Sequence, residues 1–165
     1  MISLKEYMKN TGVTKVKYVE RWLENDWIPG VIKSNRVSDT LFPDSARRPY
    51  RSRWLKPGIN ADKLRVHIVK ACLSRCHISK ELCFTSAREF EALVSELEQA
   101  GLICRSVEDG ITYFDSTEKS KDYCEKPLAE LRNFVLDMLE TVSKAAAKGA
   151  AEGTVSAYLT RQIAC

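Results

Sequence analysis

The chain has 165 residues, 44% of them hydrophobic and 29% charged, with a formal net charge of +4. That length suits one domain or two small ones with an ordinary core, and the composition excludes a disordered chain. No apolar run approaches the roughly 20 residues that a membrane helix needs, and Lys5 and Glu6 stand where a secretory signal would be apolar, so a cytoplasmic protein without a membrane partner is expected.

The charge is unevenly spread. Residues 1–60 hold twelve Lys and Arg against six acids, whereas residues 61–125 hold nine against twelve. An excess of cations in one segment is the electrostatic footprint of phosphate binding.

In that basic segment, residues 3–8 have the length of a short helix, with Leu4, Tyr7 and Met8 on one face. Asn10 to Thr14 read as a turn in which Gly12 takes a positive φ and Thr14 caps the next helix. The second helix buries Val16, Val19 and Leu23, with Trp22 beside them, and leaves Lys15, Lys17, Tyr18 and Arg21 outward. It ends before Pro29, which biases Ile28 to an extended conformation. Helix, glycine turn and basic helix make a helix-turn-helix pattern.

Residues 2–54 resemble the MerR/excisionase-like winged helix-turn-helix domains of bacterial regulators and mobile elements. The resemblance is carried by Gly12-Val13-Thr14, by Val19 and Arg21-Trp22-Leu23, by Ile28-Pro29-Gly30, and by Phe42 to Pro49. It covers about a third of the chain. This sequence departs from the pattern by one extra residue between Thr14 and Val19, and by Asp26 at a position often occupied by glycine in the family. The resemblance implies a second helix in the major groove and a wing against the DNA backbone or minor groove.

Val31-Ile32-Lys33 and Thr40-Leu41-Phe42 read as the short strands of that wing, around the polar turn Ser34 to Asp39. Lys33 and Arg36 then meet phosphates. Asp44 or Ser45 can cap a short third helix. Arg47, Arg48, Arg51, Arg53 and Lys56 follow, interleaved with Tyr50 and Trp54. This cluster suits either a phosphate-tracking arm or a linker whose aromatic residues close the core. Thr14, Lys15, Lys17, Tyr18, Arg21, Lys33, Arg36, Arg47, Arg48 and Arg51 are the candidate DNA contacts.

Pro57-Gly58 marks a boundary. Residues 61–75 read as a helix, 78–83 as a shorter one, and Ser86 with Glu89 as the capping box of a third that ends at Gly101. Strands over 102–106 and 111–115 flank Asp109-Gly110, a hairpin signal. Three helices and a hairpin predict a second winged helix. The carboxylates on its last helix oppose phosphates, so protein contact is the expected role. If this domain touches DNA, Arg88 and Arg105 are the most plausible contacts.

From Pro127 a helix begins in which Leu128, Leu131, Val135, Met138 and Val142 recur at steps of three and four. They are the candidate dimerisation stripe. Phe134 and Leu139 widen it, which equally suits a helix packed on its own domain. Val155, Tyr158, Leu159 and Ile163 suggest a last amphipathic helix. The six cysteines read as free thiols. Cys72, Cys76, His77 and Cys83 lack paired Cys-x-x-Cys spacing, so no metal is expected. No phosphate-binding glycine loop or nucleophile triad is present, so neither enzymatic activity nor a cofactor is expected.

The expected fold is therefore mainly α within an α+β class: tandem winged helix-turn-helix domains over residues 1–56 and 60–118, each with a small hairpin wing, and a helical tail over 126–165. The expected function is sequence-selective binding of double-stranded DNA by a homodimer, as a transcriptional regulator or an excisionase-like architectural factor. The alternative is a winged-helix protein-interaction module that does not touch DNA, with a protein partner on the second domain.

Overall fold

Local chemistry starts and stops the first helix. In the computed structural model, which describes residues 1–151, α1 runs over Leu4–Thr11. Ser3 and Glu6 form a reciprocal capping box at its start. Gly12, at φ 70, ends it in the left-handed region and donates its N–H to the Met8 carbonyl. The second helix, α2, spans Val16–Glu24. Its N-cap residue is Lys15 and no side chain caps it, so the expected Thr14 cap is not made. Asp26, at φ 55, closes the far end, with Asp26 N–H on Leu23 and Trp27 N–H on Trp22. This is a Schellman ending with aspartate in the position that favours glycine. Tyr7, Val19, Leu23, Ile28, Phe42 and Ala46 form the core here, and the Tyr7 and Phe42 rings stack at 4.3 Å.

The expected wing is reduced to one residue pair, Ile32 with Leu41. Phe42 in turn pairs with Ile2, so residues 41–42 bridge the N-terminal strand position and the loop. Between 32 and 41 the chain makes a short 3-10 turn, Val37–Asp39. No third helix follows Asp44. Ser45 donates its N–H to Asp109 in a later hairpin, at 2.9 Å; residues 43–46 close a turn, with Ala46 N–H on the Pro43 carbonyl, and residues 46–51 follow as a strap.

A second hydrophobic cluster is built by α3 (Ala61–Leu73), α4 (Lys80–Cys83), α5 (Ala87–Gln99), the antiparallel hairpin β1 (Ile103–Glu108) and β2 (Ile111–Ser116), α6 (Ser120–Glu125) and α7 (Leu128–Ala151). The Ser86–Glu89 capping box and the Gly101 ending of α5 form as expected. Asp109 and Gly110 both take positive φ, the two-residue turn that matches strand twist. Helix α6, which the sequence pattern did not announce, buries Ser120 and Tyr123. Among the described residues the chain is thus mainly α, with one two-stranded sheet and the long helix α7 as the last element.

In α7, Leu131 and Val135 are buried in this second cluster and Met138 packs against it. The dimerisation stripe is corrected at these positions: their apolar surface covers the protein's own α3 and α5 side. Leu128 remains 47% exposed, and Val142 is half-buried. The amphipathic stretch from Val155 to Ile163 lies outside the described residues. No helix among the described residues is long and apolar enough to cross a membrane.

The two clusters are joined through the strap. Pro49 bridges His77 in a parallel pair: His77 donates its N–H to the Arg48 carbonyl, and Tyr50 donates to the His77 carbonyl, both at 2.8 Å. Gly30 lets the hairpin approach, since a Cβ there would stand 2.8 Å from Ile111 and 2.9 Å from Pro43. The His77 ring stands edge-on to Tyr113 at 5.9 Å, with Nδ1 buried and unpartnered. Burial pushes its imidazole down to about 4, and the nearby Arg47 charge acts in the same direction.

The native state therefore resists a proton that the unfolded chain accepts from about pH 6.5 downward. Stability that is full above pH 6.5 should fall by on the order of 3 kcal/mol as pH drops through 4. Urea unfolding at pH 7, 5.5 and 4.5 checks this: the loss should shrink in His77→Gln, and an equal loss in both proteins would exclude His77 as its source.

Candidate nucleic-acid interface

Helix α2 exposes a group of cations. Lys15, Lys17, Tyr18 and Arg21 are exposed, with the Lys17 ammonium 5.8 Å from the Tyr18 ring centre. None of these cations is in an ion pair among the described residues. Val19 and Leu23 anchor the opposite face in the core. Glu20 and Glu24 are exposed as well, Glu24 seven residues from Lys17 and so on nearly the same stripe. With Leu23 they line a groove that the reduced wing closes through Lys33, Ser34, Val37 and Thr40.

The N-terminus of α2 has neither a side-chain cap nor an acid in its first turn. Its unpaired N–H groups and partial positive charge are left to solvent or to an anion. Lysines beside such an end are electrostatically unfavourable unless a negative partner arrives.

The strap brings further cations to the same edge. Between α2 and residues 48–51 lies a cleft of about 330 Å³, lined by Thr14, Tyr18, Trp22, Arg48, Tyr50 and Arg51, with Ser74 and Cys76 on its far wall. No carboxylate lines it. Arg48 donates through Nε to the Cys76 sulfur at 3.4 Å. Arg51 stacks on Trp27 at 4.3 Å. Partial burial and the charge of Arg21 hold the Arg51 guanidinium below its ordinary pKa, which places two like charges close together. Such a surface attracts anions from solution.

Of the ten candidate contacts, Thr14, Tyr18, Arg48 and Arg51 line this cleft and Arg21 is close enough to act on Arg51, while Lys15 and Lys17 are exposed outside the lining. Lys33 and Arg36 lie apart, on the wing. Lys33 is ion-paired with Asp26, so part of its charge is already balanced. Arg36 is exposed.

Arg47 is the correction. Its side chain is 6% exposed and lies between the clusters, 2.6 Å from Asp115 and 2.7 Å from Glu108, over the Tyr113 ring at 4.3 Å. Burial alone would lower its pKa; hydrogen bonds to the two carboxylates outweigh burial and raise it. Arg47 is consumed by this pairing and is not offered to a phosphate. Arg105, considered for the second domain, is likewise held by Glu91 and Glu98 on α5.

Ser74, Cys76, Trp22 and Tyr50 were not among the candidates. Ser74 and Cys76 reach the cleft because α3 ends in a Schellman turn. There Arg75 takes φ 50, and Cys76 N–H returns to the Ala71 carbonyl. Only the non-local pairing of His77 with the strap brings them there, and no local sequence signal encodes it.

Among the described residues no three of His, Cys, Asp and Glu gather as metal ligands. Cys72, Cys76, Cys83 and Cys124 are free thiols; Cys104 departs from that expectation. Burial pushes Cys72 and Cys83 up to about 12, the state of inert core thiols. Comparison with protein-family models, curated proteins and solved structures gives no match to this chain.

Neighbouring arginines on the strap should therefore behave differently. Arg47→Ala strands two half-buried carboxylates and should cost about 2–3 kcal/mol, below the full value for a buried pair because Asp115 and Glu108 keep some solvent. Arg48→Ala should cost no more than about 0.5 kcal/mol. Denaturant titration measures both, and equal costs would contradict the division.

Proposed function

We propose that this protein binds double-stranded DNA through the basic edge of α2, as a MerR/excisionase-like winged helix-turn-helix protein. The observation that carries the reading is the set of exposed, unpaired cations at α2, Lys15, Lys17 and Arg21, the last of them close to Arg51 of the cleft. In this mode Lys and Arg reach guanine O6 and N7 or neutralise phosphates, and Tyr18 meets a phosphate or a thymine methyl. A phosphate also supplies the cap that α2 lacks.

The duplex lies toward the cleft and not across the wing. Glu20 and Glu24 would oppose phosphates on the wing side, and Lys33 is partly neutralised by Asp26. The role is transcriptional control or an architectural role at a mobile-element end. In this reading the region after residue 60 forms the second winged helix and supports the first without touching DNA, because Arg105 is committed to Glu91 and Glu98. A second copy, if it pairs through α7, would use the exposed Leu128 and Leu136 rather than the buried Leu131 and Val135.

The alternative reading, a winged-helix module for protein contact, is favoured by those same two exposed leucines. Salt dependence separates the two, because phosphate binding releases counterions and must weaken as salt rises. Selection from a random duplex pool with the full chain should yield an enriched motif. On that motif, Lys15→Ala, Lys17→Ala and Arg21→Ala should each weaken binding by about 5- to 50-fold, as expected for one lost contact. Each lost phosphate contact should also reduce the salt slope by about 0.9. Lys33→Ala should change little. The absence of any enriched motif, or unchanged affinity in all three α2 variants, would refute the assignment.

A further inference from the structure

The cleft beside α2 is built more elaborately than a strip for backbone phosphates requires. Its volume of about 330 Å³ falls at the lower end of small-ligand sites, which run from roughly 300 to 1,000 Å³, and is far more than one phosphate group fills. The walls are of two kinds. Tyr18, Trp22 and Tyr50 are its aromatic lining residues, Arg48 and Arg51 its cationic ones, and Thr14 and Ser74 are also among the lining residues.

The chemistry of these walls specifies a ligand. Guanidinium groups with no carboxylate among the lining residues disfavour a cation and select an anion, phosphate above all. Arg48 is steadied through Nε by the Cys76 sulfur, and its terminal nitrogens enter no ion pair among the described residues. Aromatic side chains take a flat heterocycle, since stacking a base on such a surface is worth about 1–3 kcal/mol. The two requirements meet in one class of molecule.

We propose that the cleft between α2 and the strap is a nucleotide site, with the phosphate on Arg48 and Arg51 and the base against Tyr18 and Trp22. The nucleotide comes either free or as an unpaired residue of a bound strand; the chemistry recognised is the same. The site does not depend on duplex binding, because Lys15 and Lys17 lie outside the cleft lining. Occupancy by a free nucleotide competes with DNA at Tyr18 and Arg51, which makes the site a route of control over α2.

The full chain is titrated with adenosine 5′-monophosphate and, separately, with inorganic phosphate, followed by intrinsic tryptophan fluorescence and by calorimetry. Saturable binding is expected, at least tenfold tighter for the nucleotide than for phosphate. Arg48→Gln and Arg51→Gln should each weaken it at least tenfold, while Lys63→Ala, which removes an exposed cation outside the cleft lining, should leave it unchanged. Thermal melting establishes that each variant is folded. In a second arm, a blunt duplex is compared with the same duplex carrying one unpaired nucleotide. If the mononucleotide fails but the unpaired residue tightens binding at least fivefold, and Arg48→Gln abolishes the gain, the strand is the source. No binding in either arm overturns the proposal, as does phosphate binding as tightly as the nucleotide, or binding indifferent to both arginine variants.

Discussion

The buried guanidinium of Arg47 is the constraint on which the arrangement of the molecule rests. A cation in the junction between two hydrophobic clusters is tolerable only if its hydrogen bonds are met. Asp115 and Glu108 meet them from β2 and β1, and the Tyr113 face covers the guanidinium. Because the fork of an arginine is planar and directional, this pairing orients as well as attracts. It fixes the strap against the hairpin in one register. The strap is extended, so successive side chains alternate in direction. With Arg47 and Pro49 turned inward, Arg48 is turned out to the cleft. One internal ion pair thereby decides which arginine of the pair is available to a ligand.

The same economy of charge runs through the rest of the chain. In the second cluster two arginines are balanced internally: Arg65 by Asp62 and Glu96, Arg105 by Glu91 and Glu98. On α2 the cations stand without such partners, and Glu20 and Glu24 line the groove on the wing side. Net charge alone, at +4, would say little about a partner. A mild total conceals one neutralised half and one cationic edge, and it is the edge that shapes the local potential. The proposed DNA reading rests on that separation and not on the total.

How much of this was legible in the sequence follows from the range of each interaction. Features fixed within four residues were readable: the Gly12 turn, the Ser86–Glu89 box, the Gly101 stop and the Asp109-Gly110 hairpin. The outward face of α2 was readable too, since a period of 3.6 sorts Val19 and Leu23 from Lys17 and Arg21. What failed depended on distant partners. Asp44 and Ser45 look like helix caps, yet Ser45 is claimed by Asp109. Arg47 and Arg48 are adjacent and identical in type, and only carboxylates more than sixty residues away distinguish them. The stripe on α7 has the spacing of a coiled-coil seam, but that spacing also suits a helix laid on its own core, and Leu131 and Val135 take the second option. Helix α6 is one turn and a half long, too short for periodicity to reveal.

The cleft itself is a product of both halves, and this bears on how firmly it is held. Its near wall comes from the α1–α2 turn and α2, its rim from the strap, and its far wall from Ser74 and Cys76 after α3. The strap is clamped at Tyr50 by both histidines of the chain: the His77 backbone holds the Tyr50 N–H, and the Tyr50 hydroxyl lies 3.0 Å from His67 Nδ1. Burial lowers the pKa of both imidazoles, with Lys70 acting further on His67 and Arg47 on His77. Both are therefore neutral at pH 7, and neither adds a charge behind the arginine rim that could repel Arg48 or Arg51. A strap fixed by neutral hydrogen bonds on one side, and by the balanced Arg47 pairing at its root, presents its remaining cations outward without competition from within. That is the physical condition under which a small cluster of arginines becomes a binding surface and not merely a solvated one.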